Sequence, residues 1–593
     1  MSQQSEEEVA ETPYRQIFRL FLPAYCADQR IQDTLEYCRR TGCRDVLLFT
    51  TSYDEEPSFK SVEEVRTYTE SVLKPAARRF REAGIAVGIN VMQTLGHCYF
   101  PDDKEYRKAF PFQRRITAEG KNDRGGACPM DVGLQEWVKK TYSVYAEIHA
   151  DYIFVDDEFR TMLRDGMTCF CPLHLKKIEE LANVEAVTIE AVAKAIWHDL
   201  DSPLRKAYFE ATTQGLAKMA VIIRNTVKAV APETRLGLMT QVFPQAATGI
   251  DYQQILKALS GDERPLVRPQ ISLYSEIGLH QFAAASINPS IFREVLPKNI
   301  EHYAEIENSP YGVWAKSTAM TIAQIYALLL QGFMKQAVNF CSMFMRPLDE
   351  LKPLIEAQVR ERPRFEALAN LIPDGNAPIG VYNYAHLHEL EVRQVKAPGE
   401  YHHGHALAMA LPNLGIPLGT DPNSPWIMLT GDALRKATPA EIDSLLRRGA
   451  LLDVPALQTL TELGFGERIG IKVERELECD EVGFEEFTGP NGLDPLLHRF
   501  TLQSFLHLNY GHWYELTATN PCQAWSVVRN FRGDLVTPGL LVRENAAGER
   551  FAVLAFTGDV SNHWMANRYR ARQLRLFFEW QARTPFPVVV TED

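Results

Sequence analysis

The pattern of apolar and polar positions changes once along the chain, near residue 373. Before that point, short apolar runs alternate with longer amphipathic segments, as they do in repeated βα units. Eight apolar runs are predicted to be strands: Ile17–Phe21, Val46–Phe49, Ala86–Val91, Tyr152–Val155, Leu236–Met239, Gln270–Tyr274, Tyr303–Ile306 and Ala337–Phe340. Eight alternations favour an α/β fold of the (β/α)8 TIM-barrel type, with long insertions, over a doubly wound sheet.

Two further units are predicted after this barrel, which we assign to residues 1–372. Short strand and helix patterns over 373–472 predict a small α/β, Rossmann-like domain. Its glycines at 464–470 lack the G-x-G-x-x-G spacing and follow a helical pattern, so we expect no nucleotide cofactor there. Shorter alternating runs over 473–593, separated by turn signals, predict a C-terminal β-sandwich-like domain.

Composition excludes several classes of partner. The 593 residues are 46% apolar and 23% charged, and the net charge of -13 argues against nucleic acid or an anionic membrane. The first 15 residues lack the apolar core of a secretory signal, so we expect a cytoplasmic protein. The apolar stretch 319–333 is too short and too polar for a membrane span. The ten scattered cysteines form no dense disulfide framework.

The densest group of acids follows the fourth predicted strand. Asp156, Asp157 and Glu158 come directly after Tyr152–Val155, where a barrel presents its chemistry at the carboxyl ends of the strands. Like charges held together raise at least one carboxyl pKa. The triplet is therefore either a solvated loop or part of a site that uses a protonated acid.

Hydrolysis of a glycosidic bond needs a protonatable acid beside the leaving oxygen and a second carboxylate at the anomeric carbon. Glu158 and Glu307 supply such a pair from two different strand ends. Asp156, Glu276 and Glu305 compete for these roles, because each also lies in or directly after a predicted strand.

A compact group of metal ligands lies just beyond the acids. Cys169, Cys171 and His174 stand within six residues, so one short loop could wrap a tetrahedral ion. Cys128, in the loop before the same strand, is the best candidate for the fourth ligand. Four protein ligands would close the coordination sphere and make a zinc ion structural rather than catalytic. The alternative is a set of neighbouring cysteines in a reduced, partly buried loop.

Several of these motifs together resemble glycoside hydrolase family 42 β-galactosidases. The segment 156–159 with CFCPLH at 169–174 is similar to that family's D-N-E-Y-G motif and cysteine cluster, and 127–130 is similar to its C-P-N ligand segment. The segment 305–310 is similar to the M-E-Q-x-P nucleophile segment, and 426–470 to the α/β trimerisation domain. Family 164 β-mannosidases share this layout and trimeric assembly and compete for the match.

The resemblance implies a retaining exo-β-glycosidase with Glu158 as general acid/base, Glu307 as nucleophile and a homotrimeric assembly. Asp157 stands where the family has an asparagine that contacts the sugar 2-hydroxyl, so the identity of the sugar stays open. Weaker candidates for substrate contacts are His97, Gln241, Tyr274, Asn308 and Trp314. The expected partner is an oligosaccharide or glycoside, and the expected cofactor is structural zinc without an organic cofactor.

Two readings from other classes compete with hydrolysis. The barrel could be a catalytically silent sugar-binding protein, which would bind sugars but leave aryl glycosides intact. Alternatively, Asp156, Asp157 and Glu158 could hold a catalytic divalent metal together with His97. That reading predicts loss of activity on chelation.

Overall fold

The computed structural model describes residues 13–52, 57–97, 100–101, 104–156, 159–163, 166–241, 250–271, 273–276, 281–309, 314–339, 347–386, 391, 407–490, 494, 496–497, 502–504, 511–518, 521–558 and 567–587. Eight parallel strands close into a barrel in which each strand pairs with its neighbours along the chain. They are β1 (Arg15–Leu20), β2 (Asp45–Phe49), β3 (Ala86–Val91), β4 (Tyr152–Val155), β5 (Arg235–Gln241), β6 (Leu266–Gln270), β7 (Glu301–Glu307) and β8 (Lys335–Asn339). The predicted (β/α)8 barrel is confirmed.

Helices surround the barrel on its outer face. Those longer than eight residues are Ala27–Thr41, Lys74–Glu82, Val132–Ala146, Pro172–Ala182, Ile189–His198, Pro203–Val230, Tyr252–Ser260, Gln281–Val295, Thr318–Leu330 and Lys352–Leu371. Shorter helices are Val62–Tyr68, which runs through a π turn at Thr69–Leu73 into the next helix, and Lys104–Ala109. Two small hairpins, Arg114–Ile116 with Asn122–Ala127 and Met162–Leu163 with Gly166–Met167, extend the loops around β4.

Alternation along the strands divides the side chains between the helices and the barrel interior. The lower interior is filled by an apolar cluster that includes Tyr152 and Phe154 of β4. Two neighbouring strands make room for these rings with glycine. A Cβ on Gly88 would lie 2.1 Å from the Tyr152 ring, and one on Gly237 would lie 2.4 Å from the Phe154 ring. The barrel closes around these aromatics because the facing positions have no side chain.

One predicted strand is displaced along the chain. The sequence predicted a strand at Gln270–Tyr274, whereas β6 is Leu266–Gln270. The segment LVRPQ does not look like a buried strand because it contains Arg268 and Pro269. In the structure Arg268 is fully buried inside the barrel and paired with acids, so an ion pair replaces the apolar residue that the pattern required.

A nine-stranded mixed sheet follows the barrel. Its strands are β9 (Val381–Asn383), β10 (Leu418–Gly419), β11 (Ile427–Leu429), β12 (Ala450–Leu452), β14 (Phe484–Phe487), β15 (Leu502–Ser504), β17 (Gln523–Arg529), β18 (Leu535–Glu544) and β19 (Arg550–Leu554). A separate three-stranded antiparallel sheet contains β13 (Ile471–Leu477), β16 (Gly511–Ala518) and β20 (Phe556–Gly558). Helices in this part are Pro439–Arg447, Val454–Glu462, Gly466–Ile469 and Arg568–Ala582.

The nine-stranded sheet joins the two units predicted after the barrel. β12 pairs in parallel with β19, so the α/β strands and the C-terminal antiparallel strands form one continuous sheet. Further α/β and β-rich parts after the barrel are therefore confirmed. The boundaries at 372 and 472 stay predictions. Within the described residues, no helix is long and apolar enough to cross a membrane.

Candidate active site

The carboxyl ends of the barrel strands carry the candidate catalytic acids. Glu307 is the last residue of β7 and is 7% exposed, and Asp156 follows β4 and is 3% exposed. Asp157 and Glu158 lie outside the described residues. The predicted pair of Glu158 and Glu307 therefore stays a prediction.

Arg19 of β1 holds the carboxylate of Glu307. Its Nη1 donates to Glu307 Oε2 over 2.5 Å, and the same nitrogen lies 3.0 Å from Glu305 Oε2. Arg19 is 3% exposed, and its guanidinium carbon lies 5.1 Å from the centre of the Phe49 ring. A positive charge is thus buried directly against the predicted nucleophile and shared with the acid two positions before it on the strand.

Arg268 of β6 connects the remaining acids of the interior. Its Nε lies 3.1 Å from Glu305 Oε2, and its Nη2 lies 3.0 Å from Asp156 Oδ1. Its Nη1 donates to Asn90 Oδ1 over 2.6 Å, and the Asn90 amide in turn donates to Asp156. We call Arg19, Arg268, Asp156, Glu305 and Glu307 the interior ion cluster. Its members come from β1, β6 and β7 and from the position directly after β4, so the cluster links four strands of the barrel.

The charges of the interior ion cluster do not balance when every group is ionised. Two guanidinium groups face three carboxyl groups, and all five side chains are at least nine-tenths buried. Burial raises the pKa of Glu305 to about 8, Arg19 and Arg268 oppose that rise, and Glu307 and Asp156 add to it. The raised pKa of Glu305 therefore favours its protonated form near neutral pH.

Lys316 fixes the backbone at the end of β7. Its Nζ donates to the carbonyl oxygen of Glu307 over 2.9 Å, to that of Leu273 over 2.8 Å and to Gln324 Oε1 over 2.7 Å. Burial lowers the pKa of Lys316 to about 7, and the carboxylates of Glu307 and Glu276 oppose that change. The three acceptors use all three donors of the ammonium group, so Glu307 stands on a rigid strand end.

Asn339 lies beside Glu307 on the neighbouring strand. The two residues are paired in the register of β7 and β8, and alternation from Ala337 directs the Asn339 side chain into the barrel. The side chain is fully buried, and neither its Nδ2 nor its Oδ1 has a hydrogen-bond partner in the described part of the protein. A buried amide without partners is costly, so this position is suited to receive hydrogen bonds from a ligand.

The substrate residues that the sequence predicted have different surroundings. Tyr274 is half-buried, and its carbonyl oxygen accepts the N–H of Ser309 over 2.9 Å, so the structure brings its segment beside the end of β7. The Asn308 amide donates to Thr321 Oγ1 over 3.2 Å on an outer helix. Trp314 is 95% exposed and therefore not part of the core. His97 is half-buried after β3.

Two of the predicted substrate residues are described only in part or not at all. Gln241 ends β5, but its side chain is outside the described residues, as is Asp157. Their roles stay predictions. The competing proposal of a catalytic metal is weakened at Asp156, because that carboxylate is already paired with Arg268 and Asn90 rather than open to an ion.

The four predicted metal ligands lie together in the structure, and they are Cys128, Cys169, Cys171 and His174. All four are buried, and their ligand atoms lie within 4.8 Å of one another. His174 Nδ1 lies 3.3 Å from Cys128 Sγ and 3.6 Å from Cys171 Sγ. Tetrahedral zinc with ordinary bond lengths separates its sulfur and nitrogen ligands by about 3.5 Å, so the group fits a zinc ion. A buried Cys3His group that could bind a metal ion is thus present.

Sequence reasoning missed Arg19, Arg268, Asn339 and Lys316. Arg19 interrupts the predicted strand Ile17–Phe21, and a charge at an interior position of a predicted strand is a usable signal. Arg268 lies before the predicted strand Gln270–Tyr274 and gave no such signal. Asn339 and Lys316 carry no such signal, because their importance depends on the pairing of β7 with β8 and on the return of a loop to the end of β7.

Comparison with known proteins agrees with this architecture. No protein-family model and no curated protein match the sequence. Among solved structures, a β-galactosidase from Bacillus circulans sp. alkalophilus is similar, with a TM-score of 0.64, 11% identity and coverage of 98% of this chain and 91% of that one. Gan42B, a GH42 β-galactosidase from G. stearothermophilus, has a TM-score of 0.62, 10% identity and coverage of 98% and 90%.

A β-mannosidase is also similar in structure. The exo-β-1,4-mannosidase Op5Man5 from Opitutaceae bacterium strain TAV5 has a TM-score of 0.50 at 10% identity, with coverage of 98% of this chain and 97% of that one. At identities this low, the structural similarity establishes the fold alone. The structural neighbours are glycoside hydrolases over nearly the full chain, which confirms the inferred resemblance at the level of the fold and of the order of its parts.

Proposed function

We propose that this protein is a retaining exo-β-glycosidase that acts by double displacement, with Glu307 as nucleophile and Glu158 as general acid/base. The observation that carries the proposal is Glu307 itself. This acid ends a barrel strand, is largely buried, and is held by a guanidinium group through its side chain and by an ammonium group through its carbonyl oxygen. A nucleophile in this reaction must be ionised and fixed in orientation, and these contacts serve both needs.

The mechanism follows from the roles of the two carboxyl groups. Glu158 gives its proton to the glycosidic oxygen while Glu307 Oε1 or Oε2 attacks the anomeric carbon, and the C–O bond to the leaving group breaks. A water molecule, deprotonated by Glu158, then attacks the same carbon and releases Glu307. Arg19 keeps its charge against Glu307 throughout, and Asn339 offers its amide to a sugar hydroxyl beside the reacting carbon.

Rescue by azide tests both assignments in one design. In E307A, a small anion can occupy the space of the lost carboxylate and attack directly, so azide should restore turnover of an aryl β-glycoside and give an α-glycosyl azide. In E158A, azide should intercept the glycosyl-enzyme and give the β-glycosyl azide. Opposite anomers from the two variants support the assignment. The same anomer from both, or full activity in E307A without azide, contradicts it.

A panel of aryl β-glycosides decides which sugar the protein accepts. A β-galactoside is the first candidate, and a β-mannoside is the alternative because a mannosidase shares the architecture. The carboxylate at Asp157, where related enzymes have an amide, alters the hydrogen-bond donors available at the sugar 2-position. The galactoside, mannoside, glucoside, fucoside and arabinoside should therefore be compared by kcat/KM. Binding without hydrolysis of any of them would indicate a silent sugar-binding barrel.

We further propose that the Cys3His group binds structural zinc, that the protein is a cytoplasmic homotrimer, and that no organic cofactor is needed. Cys128, Cys169, Cys171 and His174 would fill four coordination positions and tie the loop after β4 to the segment before the helix Val132–Ala146. Light scattering coupled to size exclusion should give three times the 67.2 kDa chain mass. A monomeric mass would contradict the trimer.

A further inference from the structure

Glu305 is an acid of the barrel interior that the proposed mechanism does not use. It lies two positions before Glu307 on β7, so both side chains point into the barrel. Glu305 is 1% exposed. An isolated buried carboxylate at this position would be strongly unfavourable, and its contacts therefore need an explanation.

One oxygen of Glu305 lies between two guanidinium groups. Glu305 Oε2 is 3.0 Å from Arg19 Nη1 and 3.1 Å from Arg268 Nε. The same Arg19 nitrogen donates to Glu307 Oε2 over 2.5 Å. Glu305 and Glu307 therefore share one guanidinium nitrogen, and of the two acids only Glu307 accepts a hydrogen bond from it. Whichever acid is more negative draws Arg19 towards itself.

The charges around Glu305 determine the outcome of that competition. Arg19 from β1 and Arg268 from β6 attract the ionised form, while Glu307 on its own strand and Asp156 after β4 repel it. Asp156 already occupies Nη2 of Arg268, and Asn90 occupies its Nη1. Two of the three nitrogens of Arg268 thus have other partners, so Arg268 compensates the negative charge of Glu305 only in part. A neutral, protonated Glu305 leaves two positive and two negative charges in the cluster.

Resting on the function proposed above, we propose that Glu305 is a positioning residue that carries the proton of the interior ion cluster and thereby directs Arg19 to Glu307. When Glu305 is protonated, Arg19 is held by the carboxylate of Glu307 and fixes its orientation. When Glu305 loses the proton, it draws Arg19 away and repels Glu307, so the nucleophile is held less firmly and turnover falls. Because burial raises the pKa of Glu305 to about 8, we expect this fall in turnover on the alkaline side of neutrality.

The test compares full-length wild type, E305Q and E301Q with a 2,4-dinitrophenyl β-glycoside over pH 6 to 10. This leaving group needs no proton, so the titration of Glu158 does not affect kcat/KM. E301Q is the matched control. Glu301 lies on the same strand and on the same inward face, but its partners are Arg235, Lys335 and Tyr303 at the opposite end of the barrel.

The expected result is a difference in pH profile rather than a uniform loss. Wild type and E301Q should lose about 10-fold in kcat/KM between pH 7 and 9, as follows from a group that titrates near 8. E305Q should stay within about 3-fold of wild type at pH 6 and remain flat to pH 9. A uniform loss in E305Q, an alkaline fall equal to that of wild type, or a rise of wild-type activity with pH would overturn the proposal.

Infrared difference spectra provide a readout that does not depend on catalysis. Between pH 6 and 10, wild type should lose the carbonyl stretch of one more protonated carboxyl group than E305Q, because the titration of Glu158 is common to both. Identical difference spectra would overturn the proposal even if the activities agreed with it. If wild type cleaves no aryl glycoside, the proposed function and the positioning role fall together, whereas the infrared result still decides where the proton lies.

Discussion

Replacement of Arg268 by methionine is expected to destabilise the barrel strongly. Methionine keeps much of the length and the apolar contact of the side chain but removes its charge and donors. Arg268 is fully buried, and its loss leaves Asp156 and Glu305 without the two guanidinium nitrogens that now lie 3.0 and 3.1 Å away. Removing one partner of a buried ion pair costs about 3–5 kcal/mol, because the other charge is left uncompensated.

The structure indicates the lower end of that range. Glu305 already favours its neutral, protonated form near neutral pH, and Asp156 keeps the amide of Asn90 as a donor. Both effects limit the charge left unpaired. We therefore expect R268M to lower the free energy of unfolding of the barrel by about 3 kcal/mol.

Urea unfolding followed by tryptophan fluorescence measures this loss. The control is R39M, because Arg39 pairs with Glu36 on the surface of the helix Ala27–Thr41 and its side chain is 72% exposed. R39M should leave the unfolding transition close to that of wild type. A loss below about 1 kcal/mol in R268M would refute the account of the interior ion cluster, because that is the size of an ordinary surface substitution.

Three further predictions concern single positions. N339A should lower kcat/KM about 3- to 10-fold without lowering thermal stability, since its side-chain amide has no hydrogen-bond partner among the residues that the structure describes; an equal loss of stability would contradict a ligand-directed role. C169S should abolish binding of one zinc per chain, measured by mass spectrometry of metal content, while C522S retains it; equal zinc in both would exclude the Cys3His site. Burial raises the pKa of Glu305 from 4.5 to about 8, so folded wild type holds one more proton than the unfolded chain between these pH values. The melting temperature of wild type should therefore fall as pH rises through this range, whereas that of E305Q should lack this fall. The same pH dependence of melting in both proteins would contradict the raised pKa.

Much of the fold could be predicted from the sequence because the barrel strands are short and strongly apolar. β3 and β4 were predicted with their observed ends, since a strand buried on both faces leaves a continuous apolar run. β6 was displaced because Arg268 and Pro269 break that run, and the burial of Arg268 depends on acids from other strands. Long-range pairing of this kind is not encoded in local periodicity.

The candidate site was predictable where its residues are close in sequence or carry distinctive chemistry. The spacing of Cys169, Cys171 and His174 indicates a group of metal ligands. The structure places Cys128, which lies 41 residues earlier in the chain, next to them. Arg19 lies 288 residues from Glu307 along the chain, so its contact with the predicted nucleophile follows from closure of the barrel between β1 and β8. Glu305 looked like a competing acid in the sequence, and its contacts instead indicate a supporting role.

The central claim is that Glu307 is the nucleophile of a retaining glycosidase. A 2-deoxy-2-fluoro glycoside with a good leaving group tests it most directly, because fluorine at the 2-position slows hydrolysis of the glycosyl-enzyme and allows it to accumulate. Mass spectrometry of the digested protein should find one sugar label per chain, attached to Glu307, with parallel loss of activity. A label on another carboxylate, or inactivation without any covalent label, would contradict the account.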